Sequence, residues 1–368
     1  MNCDIVLLVW NQYELTKKCI DSIFENTLVR TRLIIVDNGS ETGVQKYLET
    51  VQDTELVNVL LLRNEKNEGF ARGMNRGMKA SSAPYVCLLN NDVVVAPGWL
   101  TEMIRVGEMH KKIGLINPHS NNFGVYPAPG EDIYDVAARR SKDRGTYVIN
   151  GACVGFCMLI KREVIDQIGY LDEERYSLFF EDTDYSRSAV ERGFQCVLAK
   201  GAYVFHREHS SVNEIGEEKE KLFKENQERF FKKWGRPLRI INVIFNRDIQ
   251  GKSFGNMLKN NAWLGTKGSF IHIFFRHGRL LQGSDIFRMH NMVEHGNIRL
   301  FNSPGPGLSC RAATKILTKK KKYDLIFTDS PLFAKWIKTV RFLHHADMYV
   351  NPDGEEMKRL WQHKSRYQ

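Results

Sequence analysis

Short apolar runs alternate with helical patterns through the first ninety or so residues. Ile5–Val9 is uninterrupted and apolar, which fits a strand buried on both faces. Asn11, with Glu14 three residues later, predicts a helix start of the capping-box kind, and Leu15, Cys19, Ile20, Ile23 and Phe24 then share one face. Leu33–Val36 predicts a second strand, closed by the turn residues Asp37-Asn38-Gly39-Ser40. Val57–Leu62 and Tyr85–Leu89 predict a third and a fourth, with a helix from about Phe70 to Lys79 between them. Alternation at this spacing implies βαβ crossovers and a mostly parallel sheet flanked by helices.

Beyond Trp99 the pattern loosens. Asn117–Gly145 is rich in Asn, Pro, Gly and charge, and reads as a long surface loop. Structure resumes at Cys153–Ile160, a helix is expected from about Thr183 to Arg192, and Gly216–Trp234 is an amphipathic helix with Leu222, Phe223, Phe230, Phe231 and Trp234 on one face. Gly235-Arg236-Pro237 then breaks the chain, which places a domain boundary there: residues 1–236 and 237–368. The second part restarts the alternation, with strand patterns at Arg239–Phe245, Ser269–Phe275, Ile298–Phe301 and Tyr323–Thr328. A helix with proline in its first turn is expected over Pro331–His344.

Charge changes this picture more than composition does. The net charge is +10 over 368 residues, but from Pro237 onward there are 22 Lys and Arg against 9 Asp and Glu. The whole basic excess therefore belongs to the smaller α/β part. It suggests an anionic partner, such as an anionic membrane surface or a charged lipid-linked acceptor, or else a solvated basic face; nucleic acid is the weaker candidate. Seven scattered cysteines without a CxxC pair argue against a disulfide framework or a structural zinc, and fit a reducing cytoplasm. No apolar run approaches the ~20 residues of a membrane span, and no leader pattern precedes Ile5, so a cytoplasmic protein is expected, peripheral at most to the inner membrane face.

Candidate chemistry follows from strand order. Ligands of an open parallel sheet gather at the carboxyl ends of its strands. There the sequence places Trp10-Asn11, Asp37-Asn38-Gly39-Ser40, Asn64–Phe70 and Asn90-Asn91-Asp92. Turns are rich in Asn and Asp for local reasons, so each segment is weak evidence, but one crevice would collect all four. Gly69, Gly73 and Gly77 line one helix face and allow close approach to the sheet or to a ligand, and Arg72 and Arg76 would supply positive charge for a diphosphate. Asp92 is a metal candidate, since Mg²⁺ or Mn²⁺ needs few carboxylates when phosphate oxygens complete its shell. Glu181-Asp182-Thr183-Asp184, after Phe179-Phe180, reads either as ordinary acidic residues at a helix start or as a general base against an aromatic wall. His206, after Tyr203-Val204-Phe205 and with Glu208, His209 and Ser210, is placed to reach the same crevice.

The ordered set resembles the inverting family 2 glycosyltransferases with a GT-A fold, closest to a bacterial rhamnosyltransferase-like branch. It runs from Val9-Trp10-Asn11 and Val36–Ser40 through Asn67–Asn75, Leu89–Asp92, Gly151–Met158 and Ile168–Glu173 to Phe180–Asp184 and His206. The resemblance covers about residues 4 to 212. It implies transfer of a sugar from a UDP- or dTDP-sugar donor to a glycan or lipid-linked acceptor, with Mn²⁺ or Mg²⁺. Asp37 would meet the nucleobase; Asn11 and Asn67, with Gly69, Arg72, Asn90 and Asn91, would line the nucleotide-sugar pocket. Asp92 and His206 would hold the metal, Asp182 would be the base with Glu181 beside it, and Gly151, Gly155 and Phe156 would border the acceptor. Asn90 stands where the family's Asp-x-Asp motif has its first carboxylate, which removes a charge from the metal site.

Two other classes share the crevice. A sugar-nucleotide pyrophosphorylase would need a glycine-rich basic loop after the first strand, and Trp10-Asn11-Gln12-Tyr13 is not one. A non-catalytic nucleotide- or carbohydrate-binding protein on the same fold would not need the Glu181-Asp182 pair.

Overall fold

The computed structural model describes residues 3–207, 218–245, 260–261, 264–265, 269–276, 298–303, 323–339, 347–350 and 352–367. The chain divides into two compact units, Met1–Arg229 and Phe230–Gln368. The first unit opens with β1 (Cys3–Val9), α1 (Tyr13–Asn26), β2 (Thr31–Asp37), α2 (Thr42–Thr50), β3 (Val57–Arg63), α3 (Phe70–Ala80), β4 (Tyr85–Asn90) and β5 (Val93–Val95). It continues with α4 (Trp99–Met109), β6 (Ile113–His119), α5 (Ile133–Arg140), β7 (Tyr147–Asn150), β8 (Cys157–Lys161), α6 (Arg162–Ile168), α7 (Glu181–Glu191) and β9 (Gln195–His206), and α8 (Glu218–Trp234) belongs to it as far as Arg229.

Nine strands form one sheet in the order β3-β2-β1-β4-β8-β6-β9-β5, with β7 also on β9. The β3-β2-β1-β4 half is parallel, as expected. β8 then enters antiparallel between β4 and β6, so the other half is mixed. The apolar run of β1 is explained by burial on both faces. Ile5, Leu7 and Val9 cluster with Cys19, Ile20 and Ile23 of α1, while Val6 clusters with Met74 and Met78 of α3.

Three local expectations are corrected. Asn11 does not cap α1: the N-cap is Gln12, in the left-handed region at φ 56°, with no side-chain capping bond. Asn11 Oδ1 instead accepts from the Glu41 N–H at 2.9 Å, tying the end of β1 to the start of α2. The segment Asn117–Gly145 is also not one loop. The last residues of β6 occupy its start, and α5 sits inside it, capped by Asp132, whose Oδ1 accepts from the N–H groups of Tyr134 and Asp135. Val136 and Ala137 of that helix pack with Ala96 and Tyr203. The polar and Pro/Gly-rich flanks mask a helix of only two turns. The helix expected at Thr183 begins two residues earlier, so Glu181 and Asp182 are its first residues.

In the second unit β10 (Arg239–Ile244), β11 (Phe270–Arg276), β12 (Ile298–Ser303), β13 (Leu325–Thr328) and β14 (Asp347–Val350) form a wholly parallel sheet, ordered β12-β11-β10-β13-β14. α9 (Pro331–Thr339) and α10 (Gly354–Tyr367) accompany it, and Leu238, Ile240, Ile271, Ile273, Leu325 and Trp361 build its core. The Lys319–Lys322 run, Cys310, and Glu208, His209 and Ser210 lie outside the described residues. The other six cysteines are free and buried. Among the described residues no helix is long and apolar enough to cross a membrane.

The glycine stripe of α3 divides by role. A Cβ on Gly77 would meet Val6 Cγ1 at 2.2 Å, and one on Gly73 would meet Leu8 Cδ1 at 2.3 Å, so both let α3 lie directly on β1. Val6 is fully buried in a filled core, whereas Leu8 is half-buried beside the cleft described below, so the clash at Gly77 is the costlier one, at ~1–3 kcal/mol for overpacking of this kind. Gly77→Val is expected to destabilise the first unit by about that amount, read as a lower denaturant midpoint with an unchanged slope.

Candidate active site

The parallel alignment of β1, β2 and β4 brings their carboxyl ends to one edge, and hydrogen bonds between the following loops fix that edge. The Asn11 N–H donates to Ser40 Oγ at 3.0 Å. Asn38 Nδ2 donates to Asn67 Oδ1 at 2.8 Å and to the Gly69 carbonyl at 3.2 Å, while its Oδ1 accepts from Asn64 Nδ2 at 2.7 Å. Gly39 has φ 74°, and a Cβ there would fall 2.5 Å from the Lys66 backbone, so the turn after β2 accepts no other residue without shifting. Asp37 is fully buried. Its Oδ1 accepts from the Ser40 N–H at 2.9 Å and its Oδ2 from Arg63 Nε at 2.9 Å.

Against this edge lies a cleft of ≈ 310 Å³. Trp10, Asn38, Asn67, Gly69, Asn90 and Asn91 line one side, with Ser177, Leu178 and Leu222 among its other walls. Four predicted residues, Asn67, Gly69, Asn90 and Asn91, therefore share one cavity. Asn11 and Asp37 brace the loops around it. Arg72 and Arg76 are committed elsewhere: Arg72 pairs with Glu174 at 2.8 Å, and Arg76 donates to Asn64 Oδ1 and to the Arg63 carbonyl. Asn90 Oδ1 is buried without a hydrogen-bond partner among the described residues. An unmet buried acceptor costs ~1–3 kcal/mol, so a ligand donor or a cation there would be favoured.

Asp92 and His206, 114 positions apart, are brought into contact. β5 pairs antiparallel with the end of β9, aligning Val93 with His206. His206 Nε2 then lies 3.2 Å from Asp92 Oδ1. The ring stacks on Phe156, with centroids 4.7 Å apart and planes within 9°, and its Nδ1 is 3.2 Å from Asn122 Oδ1. When Nδ1–H donates to Asn122, the Nε2 lone pair faces the carboxylate, an arrangement that favours a cation shared between them. Adjacent ligands of an octahedral Mg²⁺ at ~2.1 Å are about 3 Å apart, so the pair fits two such positions. Among the described residues no three His, Cys, Asp or Glu side chains gather, so phosphate oxygens or water would complete the shell.

The second acidic centre is held differently. Gly155 N–H donates to Asp182 Oδ2 at 2.8 Å, and Thr183 donates to Oδ1 from its N–H at 2.5 Å and its hydroxyl at 3.0 Å. Gly155, expected at the acceptor border, thus also orients the carboxylate. Burial raises the Asp182 pKa against these bonds, which lower it. Glu181 is buried with Oε2 unpartnered among the described residues, and burial, with the Asp182 charge adding, pushes its pKa up to about 8. Just before the pair, Phe179 and Phe180 both have positive φ, 65° and 72°, outside the region bulky residues normally adopt. The Ser177 carbonyl accepts from the Phe70 N–H at 3.0 Å, which fastens this strained segment over the start of α3. Gly151, also expected near the acceptor, directly follows β7 and is half-buried. Ser177, Leu178, Leu222 and Asn122 carried no sequence signal, because each reaches the site through chain distant in sequence.

A carboxyl group with a raised pKa binds a proton in the folded state that the unfolded chain has already released. For Glu181 that window runs from about pH 4.5 to about pH 8, and stability falls as pH rises through it. Glu181→Gln is expected to remove this decline, so that its unfolding temperature gains on the unsubstituted protein between about pH 5 and about pH 9. Parallel curves for the two proteins would contradict the assignment.

Comparison with known proteins fits this geometry. Residues 4–169 match the family described as "Glycosyl transferase family 2". The chain is 26% identical over 198 residues to the "Uncharacterized glycosyltransferase YwdF" of Bacillus subtilis, covering 52% of this chain and 69% of that one. It is 24% identical over 217 residues to the "N-acetylglucosaminyl-diphospho-decaprenol L-rhamnosyltransferase" of Mycobacterium tuberculosis, covering 49% and 67%. It spans only 27% of y4gI of Sinorhizobium fredii, at 25% identity over 254 residues. Among solved structures, the mannosyltransferase PcManGT of Pyrobaculum calidifontis, in complex with GDP-Man and Mn²⁺, aligns over 57% of this chain and 58% of that one, at 16% identity and a TM-score of 0.44. The parallel strands β1–β4 and the polar loops at their carboxyl ends, from Trp10 to Asn91, all lie within residues 4–169, the part of the chain that matches glycosyl transferase family 2.

Proposed function

We propose that this chain is an inverting glycosyltransferase that moves a sugar from a UDP- or dTDP-sugar to an acceptor hydroxyl on a glycan or lipid-linked precursor. The observation that carries the reading is a pair of acidic centres next in sequence to cleft-lining residues: Asp92, which follows Asn91 and meets His206, and Asp182, which follows the Ser177-Leu178 wall and is oriented by Gly155 and Thr183.

In this reading the nucleotide lies along the cleft edge. The side chains of Asn67, Asn90 and Asn91 offer it neutral hydrogen bonds, and Asp37 and Asn11 hold the nucleoside end of that edge in shape. Asp92 and His206 would hold Mn²⁺ or Mg²⁺, which when bound neutralises charge on the leaving diphosphate. Arg72 and Arg76 meet Glu174, Asn64 and the Arg63 carbonyl in this structure, and the exposed Arg72 pair is weak enough for Arg72 to exchange Glu174 for a donor phosphate. Asp182 takes the proton of the acceptor hydroxyl as its oxygen attacks the anomeric carbon and the bond to the diphosphate breaks on the opposite face, inverting that centre. Burial raises the basicity of Asp182 while three donated hydrogen bonds hold its carboxylate in one orientation, the combination a general base needs. Gly151 and Phe156 border the acceptor side. The basic second part suits contact with an anionic membrane surface that presents a lipid-linked acceptor.

Asp182→Asn should reduce transfer by ~10²–10⁴-fold while nucleotide binding stays intact, measured by single-turnover kinetics and calorimetry. Near-normal turnover would remove the base assignment. Asp92→Ala should abolish the gain in nucleoside-diphosphate affinity that Mn²⁺ confers, and equal affinity with and without Mn²⁺ in the unsubstituted protein would count against the metal pair. Incubation with a panel of UDP-, dTDP- and GDP-sugars should release nucleoside diphosphate. Release of nucleoside triphosphate with added pyrophosphate would indicate a pyrophosphorylase, and binding without turnover a non-catalytic module.

A further inference from the structure

The strained turn ahead of Asp182 is held from a helix that enters neither the family match nor the expected site. Asn226 of α8 is 0% exposed. Its Nδ2 donates to the Leu178 carbonyl at 2.8 Å and to the Phe179 carbonyl at 3.3 Å. Its Oδ1 accepts from Arg229 Nη1 at 2.9 Å, and that nitrogen also donates to the Arg175 carbonyl at 3.2 Å. One turn earlier on the same helix, the Phe223 ring lies against both Phe179 and Phe180, at 5.6 and 5.2 Å between centroids.

These two phenylalanines are the pair at positive φ. A non-glycine residue there costs of order 1–3 kcal/mol, and it persists only where its surroundings over-determine it. Helix packing alone would be served by apolar side chains. A buried amide whose donors both go to the backbone of the strained turn adds geometry instead, at the desolvation cost of a polar group. The chain leaves that turn directly into Glu181 and Asp182, with Phe180 as the N-cap of α7.

We propose that Asn226 is a positioning residue for Asp182: by holding the Leu178 and Phe179 carbonyls it fixes the left-handed turn that aims the carboxylate. The inference rests on Asp182 being the base. Like Asp182 itself, α8 lies beyond residue 169, where the family match ends.

The test uses the full chain and the UDP-, dTDP- or GDP-sugar of the panel that is hydrolysed fastest. Asn226→Ala and Asn226→Ser are compared with Val106→Ala, a cavity variant in α4 that lowers the stability of the same unit, and with Asp182→Asn. A loss of alignment at the reacting atoms should lower kcat at least ~10-fold in both Asn226 variants, while nucleoside-diphosphate affinity stays within about threefold. Val106→Ala should lose unfolding temperature but keep kcat per folded molecule. If the Asn226 variants keep kcat, or lose it only in step with unfolding temperature as Val106→Ala does, Asn226 is structural and the inference fails while the base assignment stands. If Asp182→Asn itself retains turnover, the base assignment fails and the positioning role falls with it. Having two Asn226 variants keeps the comparison available when one of them does not fold.

Discussion

The antiparallel pairing of Val93–Val95 with Val204–His206 is the contact on which the site depends. β4 delivers Asn90, Asn91 and Asp92 to the carboxyl edge of the sheet, as the parallel strand order dictates. The imidazole beside Asp92 comes from far along the chain. β9 runs past β6 and β7 and ends on β5, so that His206 closes beside Asp92 and lies flat on Phe156. Asn121 reinforces the end of β9: its side chain donates to the His206 carbonyl and accepts from the His206 N–H. A slip of one residue in that register would turn His206 to the opposite face.

The two acidic centres are stabilised by opposite means. Asp92 is paired with an imidazole and follows the cleft-lining asparagines Asn90 and Asn91 in sequence, a setting in which a divalent cation would be the dominant local charge. Asp182 faces no cation among its hydrogen-bond donors, only backbone and hydroxyl groups, and burial pushes both it and Glu181 toward the protonated form. That divergence of environment matches a division of labour in which one carboxylate binds the donor and the other moves a proton. The replacement of the expected first carboxylate by Asn90 follows the same division, since its buried, unpartnered Oδ1 offers a ligand a neutral acceptor where a charge would otherwise stand.

Much of this was legible from residue order. Strand-end motifs located Asn67, Asn90 and Asn91, which line one cleft, and the pairing of Asp92 with His206 followed from family resemblance alone. What escaped were interactions set by distant chain or by alternative partners. Asn11 has the residue type of a helix cap, but its left-handed backbone sends the side chain to α2. Arg72 and Arg76 have the charge for a diphosphate, yet each meets a nearer partner on the protein. α5 was hidden because two turns between Pro/Gly-rich flanks give too short a period to stand out. Asn226 carries no motif, and only the left-handed turn it holds shows what it does.

The central claim is that the contact between Asp92 and His206 is a divalent-cation site serving a nucleotide in the adjoining cleft. Anomalous scattering at the manganese edge, from crystals grown with Mn²⁺ and UDP, tests it most directly. The account predicts one strong peak within ~2.3 Å of both Asp92 Oδ1 and His206 Nε2, with diphosphate oxygens completing the shell. A nucleotide bound in the cleft with no anomalous peak at that pair would contradict it.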